Sequence, residues 1–180
     1  MLQFWRKGYE GTSLTDLTEA MGINRPSLYA AFGSKEGLFQ RAVERYLAGP
    51  GAFIARALEA PTARGVFEHM LQIYCNVPGE EEERPPGCLL VQGALACSED
   101  GRSVQRLLVG VRQRGEAALR ERFRRAKAEG DLPADESPAD LSRYVWTICH
   151  GLSVQATSGV TRAELKRVAT RALASWPTRK

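Results

Sequence analysis

The side chains with the greatest chemical reach lie close to the start of the chain. Arg25, Ser27 and Tyr29 fall together, Lys35 follows shortly after, and Thr12 and Ser13 precede them. All are hydrogen-bond donors. Donors grouped this way suit phosphate oxygens, and an arginine among them can also reach the edge of a guanine. Covalent chemistry has less support. Cys149 and His150 are neighbours in sequence, so on a helix they point in different directions and form no nucleophile–base pair. The four cysteines (Cys75, Cys88, Cys97, Cys149) and two histidines (His69, His150) show no metal-ligand spacing. No glycine-rich phosphate loop and no Gly-x-Ser-x-Gly elbow occurs. The expectation is a protein with no catalytic residues, no metal and no cofactor, and not an enzyme.

Those donors need elements to hold them, and the chain reads as all-α, with about nine or ten helices and no sustained two-residue alternation. Residues 13–21 place Leu14, Leu17 and Met21 on one face. The break Gly22-Ile23-Asn24 follows, then a helix over 25–32 with Leu28 and Phe32 inward. Two short helices joined by a glycine-containing turn make a helix-turn-helix. In that arrangement Ile23 plugs the angle and Asn24 caps the second helix. Arg25, Pro26, Ser27, Tyr29 and Ala30 then project from its opening turns, the part of such a motif that enters the major groove. Ser34 caps a further helix that opens at Lys35 and buries Leu38, Phe39 and Val43. Free N–H groups at that start favour a phosphate.

The rest of the chain is cut by Pro and Gly into helices at about 51–59, 62–77, 87–97, 101–130 and 137–158, with a last one carrying Leu165, Val168, Ala172, Leu173 and Trp176. Glu80 to Glu83 repel one another and read as an exposed loop. Phe53, Phe67, Met70, Tyr74, Cys88, Gln92, Trp146 and His150 are the candidates to line an internal ligand cavity, although aromatic and Met side chains at helical spacing also simply pack. Cys88 and Cys97 admit a redox-sensing reading, but with no charge partner nearby in sequence inert burial is favoured.

Charge alone does not locate a partner. The net charge is +4. Residues 1–48 hold six Lys/Arg against five Asp/Glu, and residues 101–130 hold nine against three. The basic run from Arg120 to Lys127 is interleaved with glutamate and reads as a solvated helix face. With no signal peptide and no 18-residue apolar run, the chain is expected in the cytoplasm, away from membranes and with free thiols.

Three stretches taken together resemble the DNA-binding head of the TetR/AcrR family of transcriptional regulators. They are Phe4-Trp5-Arg6-Lys7-Gly8-Tyr9-Glu10-Gly11-Thr12-Ser13-Leu14, then Met21-Gly22-Ile23, then Ser27 through Phe39. Gly87-Cys88-Leu89-Leu90-Val91 also resembles a segment of one branch of that family. The resemblance implies a head over residues 1–47 and a helical ligand-binding and dimerisation domain over 48–180. It implies phosphate contacts at Tyr29, Lys35 and Thr12 or Ser13, with Arg25, Pro26, Ser27 and Ala30 on the exposed face of the recognition helix. It further implies a ligand-responsive repressor, acting as a homodimer on a palindromic site in double-stranded DNA. The partner subunit would pack through helices 101–130 and 137–158, and a small-molecule effector would bind the body. In the family the first helix usually begins about two or three turns before Met1-Leu2-Gln3-Phe4-Trp5, so a form extended upstream is expected to bind DNA more tightly. Two alternatives stay open: a helical dimeric adaptor that has lost DNA binding, and a cysteine-based redox-sensing regulator.

Overall fold

The computed structural model describes residues 1–79, 82–95 and 97–178, and every regular element among them is an α-helix. Three short helices open the chain: α1 (Leu2–Lys7), α2 (Leu14–Met21) and α3 (Arg25–Phe32). Helices this short are marginal in isolation, so caps and a shared core must hold them. Ser13 forms a capping box with Asp16: its hydroxyl accepts the Asp16 N–H at 3.0 Å, and the Asp16 carboxylate accepts the Ser13 N–H at 2.8 Å. The same carboxylate meets Lys7 Nζ at 2.5 Å, pinning α2 to the end of α1. Asn24 Oδ1 accepts the Ser27 N–H at 2.9 Å and starts α3. Between the two helices Gly22 adopts φ 64, ψ 30, a left-handed conformation open to glycine without steric cost, and the Ile23 N–H closes the turn on Thr18 O at 3.1 Å.

The body is built from α4 (Lys35–Ala48), α5 (Phe53–Leu58), α6 (Ala63–Tyr74), α7 (Leu89–Gln92), α8 (Arg102–Ala128), α9 (Pro138–Thr157) and α10 (Arg162–Ala174). The short 129–137 connection makes α8 and α9 antiparallel neighbours, and they form the most extensive helix pair. Val104, Leu108, Val111, Leu119 and Phe123 of α8 are all buried, which leaves that helix an outer face of arginine and glutamate, with Arg125–Glu129 and Arg124–Glu121 pairs along it. Arg122, also on α8, is 6% exposed. It clamps the end of α5, donating from Nε to Leu58 O at 3.2 Å and from Nη2 to Ala60 O at 2.8 Å and Pro61 O at 3.1 Å. A buried cation is tolerated when hydrogen bonds replace its water, and here carbonyls at a helix C-terminus supply them.

Head and body share one hydrophobic core. Phe4 meets Phe39 edge-on at 4.9 Å, and Trp5 meets Tyr46 edge-on at 4.9 Å, so α1 rests on α4. A second attachment runs through the segment around α7. Tyr9 N–H donates to Gly93 O at 2.8 Å, Gln92 Nε2 to Trp5 O at 3.2 Å, and the Ser98 hydroxyl to Glu10 at 2.8 Å.

The helix expected over 87–97 is shorter, Leu89–Gln92, and the Gly93 carbonyl just beyond it accepts the Tyr9 N–H of the head. Not every apolar residue grouped on a helix face is covered: Met21 is 38% and Val168 49% exposed. Met21 is the last residue of α2 before the chain turns away, and α10 meets its neighbours through Leu165, Ala169 and Ala172 instead. Of the acidic run expected as a loop, Glu80 and Glu81 lie outside the described residues, as does Ala96 of the expected 87–97 helix.

Candidate functional site

Arg25, Pro26, Ser27, Tyr29 and Ala30 all lie on the solvent side of α3, while Leu28 alone is fully buried beneath them. The sequence spacing dictates this: one apolar residue anchors an eight-residue helix whose other faces are free. Tyr29 is 45% exposed, so its phenol stands clear of the surface. Arg25 Nη2 donates to Thr15 Oγ1 at 3.2 Å, which steers the guanidinium along the groove between α2 and α3 while leaving it in solvent. Lys35 sits at the first position of α4, with its Nζ 4.4 Å from the centroid of the Tyr9 ring. That cation–π contact fixes the ammonium beside the helix start. Desolvation pulls the Lys35 pKa down, and the charges of Glu10 and Asp16 push it back up. The Asp16 carboxyl is held well below the usual range by hydrogen bonds from Lys7 and from the Ser13 side chain and backbone.

One candidate is misplaced. Thr12 is fully buried, and its hydroxyl donates to Gly8 O at 2.6 Å. It closes the corner between α1 and α2 and presents nothing to a ligand. Ser13 is exposed, but its hydroxyl is engaged with Asp16. What the head offers an anion is therefore a surface of four outward donors, Arg25, Ser27, Tyr29 and Lys35, backed by the capped starts of α3 and α4.

In the body, a cavity of about 330 Å³ lies between α5, α6, α8 and α9, at the low end of the ~300–1,000 Å³ range of small-molecule sites. Four of the eight cavity candidates line it: Tyr74, Cys88, Trp146 and His150. The other four do not. Phe67 and Met70 are fully buried in the core, Phe67 packing on Trp176 at 5.5 Å. Phe53 supports Tyr74 from behind, edge-on at 5.4 Å. Gln92 spends its amide on Trp5 O and Pro86 O. Tyr46 donates its hydroxyl to Cys88 Sγ at 3.2 Å, and burial pushes the Cys88 thiol up, away from the thiolate form that reacts. Burial and the charge of Arg112 draw His150 down to about 4, so its imidazole is neutral at physiological pH.

Comparison with known proteins fits this arrangement. Residues 2–42 match the family model described as bacterial regulatory proteins, tetR family. The HTH-type transcriptional regulator YezE of Bacillus subtilis is 33% identical over 79% of this chain and 74% of its own length. The HTH-type transcriptional repressor ComR of Escherichia coli is 28% identical over 98% of this chain and 85% of its own. A solved structure of the TetR family transcriptional regulator CifR, a cysteine mutant complexed with 26bp double-strand operator DNA, superposes with a TM-score of 0.90. It is 43% identical, covering 98% of this chain and 93% of that one. The chain belongs to the TetR family. It is a transcriptional regulator of that family and not an enzyme, on an all-helical TetR fold with an N-terminal helix-turn-helix.

In this TetR-family member, sequence reading overlooked the parts of both sites that act at a distance. Tyr9, which orients Lys35, and Thr15, which orients Arg25, are ordinary surface types that only the folded arrangement brings into contact. Arg112 and Arg114 line the cavity on α8. Arg112 did leave a signal: it lies four residues after Leu108 and one after Val111, so a charge falls at the edge of an apolar stripe. No described helix is long and apolar enough to cross a membrane.

Proposed function

We propose that the protein is a homodimeric repressor that grips a two-fold operator in double-stranded DNA with α3 and lets go when a small molecule fills the cavity beneath α5. The observation that carries this is the face of α3: a doubly capped helix turning Arg25, Ser27 and Tyr29 to solvent, in a chain 43% identical to a regulator solved on operator DNA. Arg25 would read a guanine edge or a phosphate. Ser27, Tyr29 and Lys35 would hold phosphates, and Ser13 would contribute its position at the start of α2. Asn24 acts through its cap, while Pro26 and Ala30 shape the exposed face. Residues 1–47 form the reading head and 48–180 the sensing and dimerising body, with α4 shared between them.

Dimerisation follows from the need for two heads on a two-fold site. The exposed apolar side chains bear on which helices carry it. Most large apolar residues of α8 are buried in the monomer core, with Leu107 and Val109 only partly so, whereas Tyr144 and Val154 of α9 and Val168 of α10 stand exposed. This supports pairing through α9 and α10 and argues against α8. An effector would act on the heads both through α4 and through the α7 segment, which touches the cavity at Cys88 and Leu90 and the head at Gln92 and Gly93. Its effect is bounded by its differential affinity for the two head spacings. Nuclease footprinting on the DNA upstream of the gene tests the reading. A protected site with two-fold symmetry is expected, and protection that never rises above that of random DNA would refute it.

A further inference from the structure

Resting on the reading of this cavity as the effector site, we propose that it takes an apolar organic monoanion. The ligand is a carboxylate whose hydrocarbon body lies against Tyr74 and Trp146 and whose charged end meets Arg112. The cavity lining includes two arginines and no aspartate or glutamate. Arg112 makes no ion pair with any described residue, and its only hydrogen bond among them runs from Nη1 to Leu90 O. A half-buried guanidinium with N–H groups to spare is costly to leave unmatched, and its planar fork fits a carboxylate. His150 cannot supply a competing charge, since the neutral imidazole is the stable form beside Arg112.

The rest of the wall selects the body of the ligand. Trp146 packs on His150 with ring centroids 5.0 Å apart, and Tyr74 meets Trp146 edge-on at 6.4 Å. The result is an angled aromatic corner suited to the edge of an aromatic ring or a branched hydrocarbon. Gly115 lets the indole sit close to α8: a Cβ there would lie 3.0 Å from Trp146 Cζ2, so any larger residue would push the ring outward. Arg114, exposed and also lining the cavity from α8, adds a second positive charge that favours anions. A cation meets both positive charges.

Calorimetric titration of the full-length protein at neutral pH with three isosteric probes tests this: para-tert-butylbenzoate, para-tert-butylbenzamide and para-tert-butylbenzylamine. The benzoate is expected to bind at least about tenfold more tightly than the amide, the ratio one charge-assisted hydrogen bond supplies, and the amine weakest. Arg112→Met should bring benzoate and amide to within about twofold while leaving amide binding unchanged. If Arg112→Met does not fold, Arg112→Lys, which keeps the charge but loses the fork, should give an intermediate ratio. Amide binding that equals or exceeds benzoate binding, or an equal loss of all three probes on Arg112→Met, overturns the anion assignment and leaves the effector cavity standing. No binding by any probe overturns the anion assignment and the cavity reading together. Operator binding, read separately by footprinting, is decided by neither result.

Discussion

At the residue scale, Lys35 and Tyr29 make different predictions although both are assigned to phosphates. Lys35 brings a charge whose partner in the free protein is an aromatic ring. Replacing it with glutamine would remove two charges from the proposed dimer, so the slope of log affinity against log salt should flatten by nearly two, as measured by fluorescence anisotropy on an operator fragment. Tyr29 is neutral, so its loss should weaken binding at every salt concentration and leave the slope unchanged. His150 carries a pH prediction. Its pKa lies at about 4 when folded against 6.5 when free. The unfolded state therefore binds more protons in that window, and stability is lost as pH falls from 6.5 toward 4. The loss should total roughly 3 kcal/mol, and denaturant melts of His150→Gln should lack that slope. The donors of α3 were legible in the sequence because their exposure follows from one buried leucine in eight residues. Thr12 was misread because a hydroxyl next to a helix start looks alike whether it faces solvent or, as here, the Gly8 carbonyl.

At the element scale, the turn between α2 and α3 and the corner between α3 and α4 set where the recognition helix points. Gly22 needs its left-handed backbone, so Gly22→Ala should cost about 1–2 kcal/mol in thermal or denaturant unfolding. Gly37 is constrained by space: a Cβ there would overlap the Phe32 carbonyl oxygen. Gly37→Ala should therefore force the α3–α4 corner open and reduce operator affinity more than its modest stability loss explains, which parallel melting and DNA titration would show. Helix positions were largely legible, since caps such as Asn24 and Ser34 are marked by residue type. The length of α7 was not: the segment that follows it is bonded to Tyr9, more than eighty residues away in sequence, a contact that local pattern does not carry.

At the scale of the whole molecule, a small head and a larger body share one core, so a change in either is felt by both. The cavity touches α4 at Leu47 and the α7 segment at Cys88 and Leu90, and both elements lead to α1. The proposed assembly surface is the other global feature. Charge placed on α10, as in Val168→Asp, should convert the proposed dimer to monomer by sedimentation while leaving helix content unchanged, because Val168 is 49% exposed within the chain. The resemblance implied pairing through the 101–130 and 137–158 helices together. Only the folded chain shows how much of the apolar face of α8 the monomer core already covers. The central claim, that α3 reads operator DNA, is tested most directly by titrating the upstream DNA with wild type and Tyr29→Ala at one fixed salt concentration. Sequence-specific binding by the wild type, weakened at least about tenfold in the mutant with the fold intact, is the result expected. Equal binding by the two proteins, or no specific binding by either, would contradict it.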